Sequence, residues 1–156
     1  MMRYMYALMF VLLAPSLCFA QQSLIGSYKL VSLELVINGG KPSTGTIGPK
    51  PHGYLVITPK LYLSALAGAN RKAGTSVEEK AALWDTLNFW GGPYTVEGNK
   101  LTVSVDTSWN QSWTGKQQVR TLKLEGKRLT LVAAPQPFPR DPSKTVVSTV
   151  VWERID

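Results

Sequence analysis

The chain has 156 residues, 17 Lys and Arg against 10 Asp and Glu, one His and one Cys, for a formal charge of +7. That length suits one domain with a real core. The basic residues are spread singly along the chain (Lys29, Lys41, Lys50, Lys60, Lys100, Lys116, Lys127, Lys144), which argues for a solvated surface and against a stripe that tracks nucleic-acid phosphates.

Met1 to Ala20 have the three parts of a signal peptide: Arg3 in the n-region, Ala7 to Leu13 as the apolar h-region, and Cys18-Phe19-Ala20 as the cleavage site. The mature domain is expected to span 21–156. The apolar run before Pro15, about ten residues, falls short of the roughly 20 needed to cross a bilayer, so no integral membrane span is expected. Leu17 stands where a lipoprotein signal carries a small residue, so Cys18 is not read as a lipidation site. With Cys18 inside the leader, the exported domain has no disulfide, thiol nucleophile or Cys-ligated metal. Its formal charge is +6, since Arg3 is the one charged residue removed. The expected location is periplasmic or secreted.

Strand patterns follow. Ser27 to Ile37 is β-branched and apolar up to Asn38-Gly39-Gly40, a hairpin-type turn. Pro42 to Pro51 is a Gly- and Pro-rich loop suited to a rim or lid. Gly53 to Thr58 and Leu61 to Leu66 flank Pro59-Lys60 as a hairpin. Ser76-Val77-Glu78-Glu79 is a capping box. It predicts a helix running to about Phe89, with Leu83, Trp84, Leu87 and Trp90 as its apolar stripe and Gly91-Gly92-Pro93 as its stop. Such a helix could cover one mouth of a barrel. Further strands are expected at Pro93–Glu97, Lys100–Ser108, Gln117–Leu124, Arg128–Ala133 and Thr145–Arg154, with Pro135 to Pro139 as a stiff connection. The predicted architecture is all-β: an antiparallel up-and-down barrel of about eight strands with one inserted α-helix.

Arg120 shares strand parity with Leu122 and Leu124. A guanidinium on the same face as two leucines must be paired or functional, because desolvating it alone is costly. Glu34 shares parity with Tyr28, Leu30 and Ser32; if it faces the interior, a buried Glu34–Arg120 pair would satisfy both charges. His52, the sole histidine, lies in a loop and finds no acidic cluster with which to hold a metal. Most of the aromatic residues are expected in the core, and some should line a cavity, because a barrel of about eight strands is just wide enough to hold one small ligand.

Several stretches taken in order are similar to the lipocalin-like domain proteins, relatives of the calycin barrels: Leu24 to Ser32 with Glu34; Pro51-His52-Gly53-Tyr54-Leu55-Val56-Ile57-Thr58-Pro59; Gly92 to Val96; Ser112 to Gly115 with Gln118 and Arg120; Leu124-Glu125-Gly126; and Trp152-Glu153-Arg154. The resemblance covers Leu24 to Ile155. It implies that Glu34 faces the interior and that Tyr28 and Arg154 stack across a closed end. Tyr28 replaces the tryptophan of the usual opening G-x-W, and Val103 and Ser104 stand where many relatives carry histidine.

The expected function is binding of a small hydrophobic or amphipathic molecule inside the barrel, with Glu34, Tyr54, Arg120 and Trp152 as ligand-binding residues. No catalytic residue, cofactor or metal is assigned. Two alternatives stay open: an isomerase or cyclase using Glu34 for proton transfer on a hydrophobic substrate, and a filled structural barrel.

Overall fold

A computed structural model of the chain describes residues 23–156, so the expected leader and its cleavage site lie outside the described residues. The elements in order are β1 Gly26–Ile37, β2 His52–Ile57, β3 Leu61–Ala67, α1 Val77–Asp85, β4 Leu87–Glu97, β5 Lys100–Ser104, β6 Thr107–Ser108, β7 Gln117–Glu125, β8 Arg128–Ala133, β9 Gln136–Phe138 and β10 Asp141–Arg154. Eight of the strands pair antiparallel in the order β1-β2-β3-β4-β5-β7-β8-β10, and β1 pairs back onto β10 to close a barrel. Two short strands lie off this ring: β6 pairs with the start of β4, and β9 pairs with the start of β10.

Closure brings the sequence-distant ends of the domain together. Tyr28 lies opposite Arg154, and the ladder runs on to Ile37 opposite Val146. At this lower end the Tyr28 hydroxyl donates to the Leu24 carbonyl at 2.8 Å, and Arg154 Nη2 donates to the Tyr28 hydroxyl at 2.6 Å. The Arg154 guanidinium lies 5.2 Å from the Tyr28 ring centroid, which is the expected stack. Tyr28, Leu55, Leu101 and Leu129 are fully buried and fill this half. The connections at the upper end are longer. The turn after β1 forms as expected: Asn38 at φ 49 and Gly39 at φ 69 occupy the left-handed region that a two-residue hairpin turn requires. From there the chain folds back through a Leu35–Ser43 bridge into a 3-10 turn at Gly45–Ile47 that buries Ile47.

Three sequence expectations are corrected. The register of β1 against β10 slips between Leu30 and Ser32, making Val31 a bulge. One extra residue inverts strand parity, so Leu33 turns inward while Glu34 is exposed. The capping box is present, with Glu79 N–H donating to Ser76 Oγ at 3.2 Å and Ser76 N–H donating to Glu79 Oε2 at 3.1 Å, yet the helix ends at Asp85 and buries no residue. From Leu87 the chain instead completes a seven-residue ladder with β3. Gly91 and Gly92 therefore do not stop a helix but permit close approach of strands: a Cβ at Gly92 would collide with the Ser104 carbonyl oxygen. Finally, Gln136–Phe138 is not a plain connection but pairs with β10, which itself starts early at Asp141.

Deleting Val31 should force Leu33 and Leu35 outward or break the closing ladder. The expected loss is at least ~3 kcal/mol, from two leucines worth roughly 1.5–3 kcal/mol each, read by urea unfolding. Val31→Thr, which keeps the bulge, should stay within ~0.5 kcal/mol of the parent. A deletion variant as stable as the parent would show that the bulge does not set which face of β1 is buried.

Candidate functional site

The upper half of the barrel encloses a cavity of about 70 Å³, partly open to solvent. Leu33 and Leu35 of β1, Leu131 of β8, and Val150 and Trp152 of β10 supply apolar wall. Ile47 and the Phe138–Arg140 corner form part of the rim. Among the described residues, no Asp or Glu lines the cavity. Helix α1 contributes no lining residue, so it does not serve as the expected cover.

Arg120 projects from β7 into this space and is 6% exposed. The strand reading that placed it inward with Leu122 and Leu124 holds. Its two terminal nitrogens each donate to Gln118 Oε1 at 3.2 Å, and Nη1 also donates to the Val119 carbonyl at 2.8 Å. The guanidinium lies 5.1 Å from the centroid of the Trp90 ring, within cation–π range. Among the described residues no carboxylate pairs with it. Burial pushes its pKa down, opposed by Tyr62, but an arginine in a protein stays protonated. The site is thus an uncompensated positive charge in an apolar enclosure.

Tyr62 and Ser64, on β3, line the same cavity and are buried. Burial pushes the Tyr62 phenol up to about 12, against the pull of the Arg120 charge and a bond with the Ser64 side chain. The Tyr62 phenol is therefore neutral at physiological pH. Tyr62 starts a run of aromatic contacts that leads outward: Tyr62 to Trp90 at 4.8 Å, Trp90 to Trp113 at 6.0 Å, Trp113 to Trp109 at 6.3 Å and Trp109 to Trp84 at 6.4 Å between centroids. At the rim Arg140 stacks 4.6 Å from the Trp109 centroid and donates through Nη2 to the Asp85 carbonyl at 2.6 Å. This ties the corner between β9 and β10 to the end of α1.

Two of the four expected ligand-binding residues meet here. Arg120 and Trp152 line one cavity, and Trp152 Nε1 is buried with no hydrogen-bond partner. Glu34 and Tyr54 face outward instead. Glu34 is exposed because of the Val31 bulge, and Tyr54 is 54% exposed because Leu55 and Ile57 take the inward positions of β2. The expected Glu34–Arg120 pair does not form. Gln118, Tyr62, Trp90 and Arg140 were not among the residues expected to bind ligand. Gln118 could have been found, because it shares strand parity with Arg120 two residues away. Trp90 was hidden by its assignment to the helix.

The family model described as lipocalin-like domain matches residues 25–155. Two solved structures are similar. One is an uncharacterized protein from Bacteroides eggerthii, 12% identical, with a TM-score of 0.43 over 84% of this chain and 98% of that one. The other is the REP1-NXSQ fatty acid transporter, 10% identical, with a TM-score of 0.41 over 86% of this chain and 98% of that one. No curated protein matches the chain.

The outward position of Glu34 makes Arg120→Leu and Glu34→Gln energetically independent. Their effects on urea unfolding should add within ~0.5 kcal/mol, whereas a coupling above ~1 kcal/mol would restore the buried pair. For Tyr62, the raised folded-state pKa means that the unfolded chain loses its phenol proton first. Stability contributed by the neutral phenol is therefore fully present below pH 10, the ordinary value, and falls as pH rises toward about 12. The difference between wild type and Tyr62→Phe should shrink across that window. A difference that does not change with pH would place Tyr62 in solvent.

Proposed function

Because this chain belongs to the lipocalin-like domain family, whose barrel it adopts, we propose that it is an exported binding protein, mature from Gln21 to Asp156. Its ligand is a small hydrophobic or amphipathic molecule held in the upper half of the barrel. The observation that carries this reading is Arg120: a buried cation that, among the described residues, has no carboxylate partner and shares its cavity with none. Burying an unpaired charge costs a fold several kcal/mol. Keeping it where a ligand can reach fits a polar anchor in a pocket whose remaining wall is mainly apolar.

The rival readings have less support. A solid structural barrel would leave no cavity. The isomerase or cyclase reading relied on Glu34 for proton transfer, and Glu34 is exposed on the outer wall. Tyr54, on the outer face of β2, drops out of the proposed site, while Trp152 remains on the cavity wall beside Leu131 and Val150.

Native mass spectrometry of protein recovered from its source organism tests the reading. The expected mass begins at Gln21 and carries a non-covalent small molecule. Arg120→Met combined with Gln118→Leu removes the charge together with its side-chain acceptor, and should be at least as stable as wild type while losing that molecule. Retention of the ligand by the folded double variant would rule out Arg120 as the anchor.

A further inference from the structure

Resting on the proposed binding function, we infer that the group recognised in the cavity is a carboxylate, gripped side-on by Arg120, and that the ligand is a small organic acid. The argument starts from which donors of the guanidinium are in use. An arginine has five N–H donors in one plane. Among the described residues Arg120 makes three hydrogen bonds to protein: one from each terminal nitrogen to Gln118 Oε1, and one from Nη1 to the Val119 carbonyl. The bonds to Gln118 use the outer edge of the fork, and the bond to Val119 uses the far hydrogen of Nη1. What remains is the Nε–H and one Nη2–H, the two parallel donors along the other edge. That edge matches the two coplanar oxygens of a carboxylate in a bidentate contact.

Three features of the surroundings agree. The Trp90 ring lies against the guanidinium, holding it without consuming an in-plane donor. Trp152, 1% exposed and on the same cavity, has an indole N–H with no partner among the described residues, a donor left over on the wall that faces the fork. Among the described residues, no acidic side chain lines the cavity to compete for the fork. Size narrows the class further. A space of about 70 Å³ holds only a handful of water molecules at ~10–15 Å³ each. It lies well under the roughly 300–1,000 Å³ of sites that enclose drug-sized ligands. A short aliphatic or single-ring acid fits that description, whereas a long-chain lipid does not.

The test uses matched ligands on the wild-type mature protein: butanoate, hexanoate, decanoate and phenylacetate, each beside its primary amide, with hexanesulfonate as a tetrahedral anion. Binding is read by calorimetry and by tryptophan emission. We expect at least one short acid to bind tenfold or more tighter than its amide and than hexanesulfonate, and decanoate to gain nothing over hexanoate. In Arg120→Lys, which keeps the charge but loses the fork, that acid should lose at least tenfold. Trp152→Phe should weaken the acid. Equal binding of acid and amide overturns the carboxylate inference but leaves the binding function standing. Equal binding of hexanoate and hexanesulfonate, or full retention in Arg120→Lys, reduces the site to a general anion contact and also overturns it. Tightest binding by decanoate overturns the small-acid claim. If no member of any pair binds, the inference falls together with the binding function.

Discussion

The ladder between β1 and β10 is the constraint on which the rest of this molecule depends. Tyr28 to Ile37 pair with residues drawn from the far end of the sequence, and only that pairing converts an open meander into a ring without edges. Without it, Arg120 would face a sheet with no opposite wall and its charge would be hydrated. Once it forms, the same side chain lies across a narrow space from Leu33 and Leu35. Closure thus creates the enclosure and the electrostatic problem within it.

How the fold carries that problem is visible in the partners Arg120 has and lacks. Gln118 and the Val119 carbonyl offer neutral oxygens, and Trp90 offers the negative face of its ring. Each contact is favourable, but none cancels a full charge. Tyr62 sits nearby as a neutral phenol with no tendency to ionise near pH 7. The cavity therefore keeps a positive potential in a region of low dielectric, where an incoming anion is attracted far more strongly than in water.

Much of this was legible in the residues, and the failures have specific causes. Strand number, the meander and the inward turn of Arg120 follow from alternation and turn residues, because a pleated strand fixes side-chain parity over short runs. Parity was lost across Val31, where a β-branched residue compatible with any strand position conceals an extra residue. Only the partner strand reveals the slip. The end of α1 was misjudged because Leu83, Leu87 and Trp90 satisfy a helical stripe, while the seven-residue ladder that captures Leu87 to Pro93 is a long-range contact. Gly-Gly-Pro marks a helix stop and a strand crossing equally well. Trp152, expected at the site, is buried and lines the cavity. Tyr54 was misplaced because an aromatic residue in a strand gives no sign of which face it takes.

The contrast between a filled lower end and a hollow upper end implies an uneven distribution of local stability. Around Tyr28 and Arg154, short turns and fully buried side chains lock successive strands, so opening there requires breaking the whole ring. At the other end, long connections, a helix with no buried residue and a corner tethered through Arg140 leave little packing to disrupt. Protein segments of this second kind open by sub-global fluctuations well below the free energy of complete unfolding. On the proposed binding function, an occupant would pass through the upper rim while the packed lower half stays closed, so that entry would not require the ring to open.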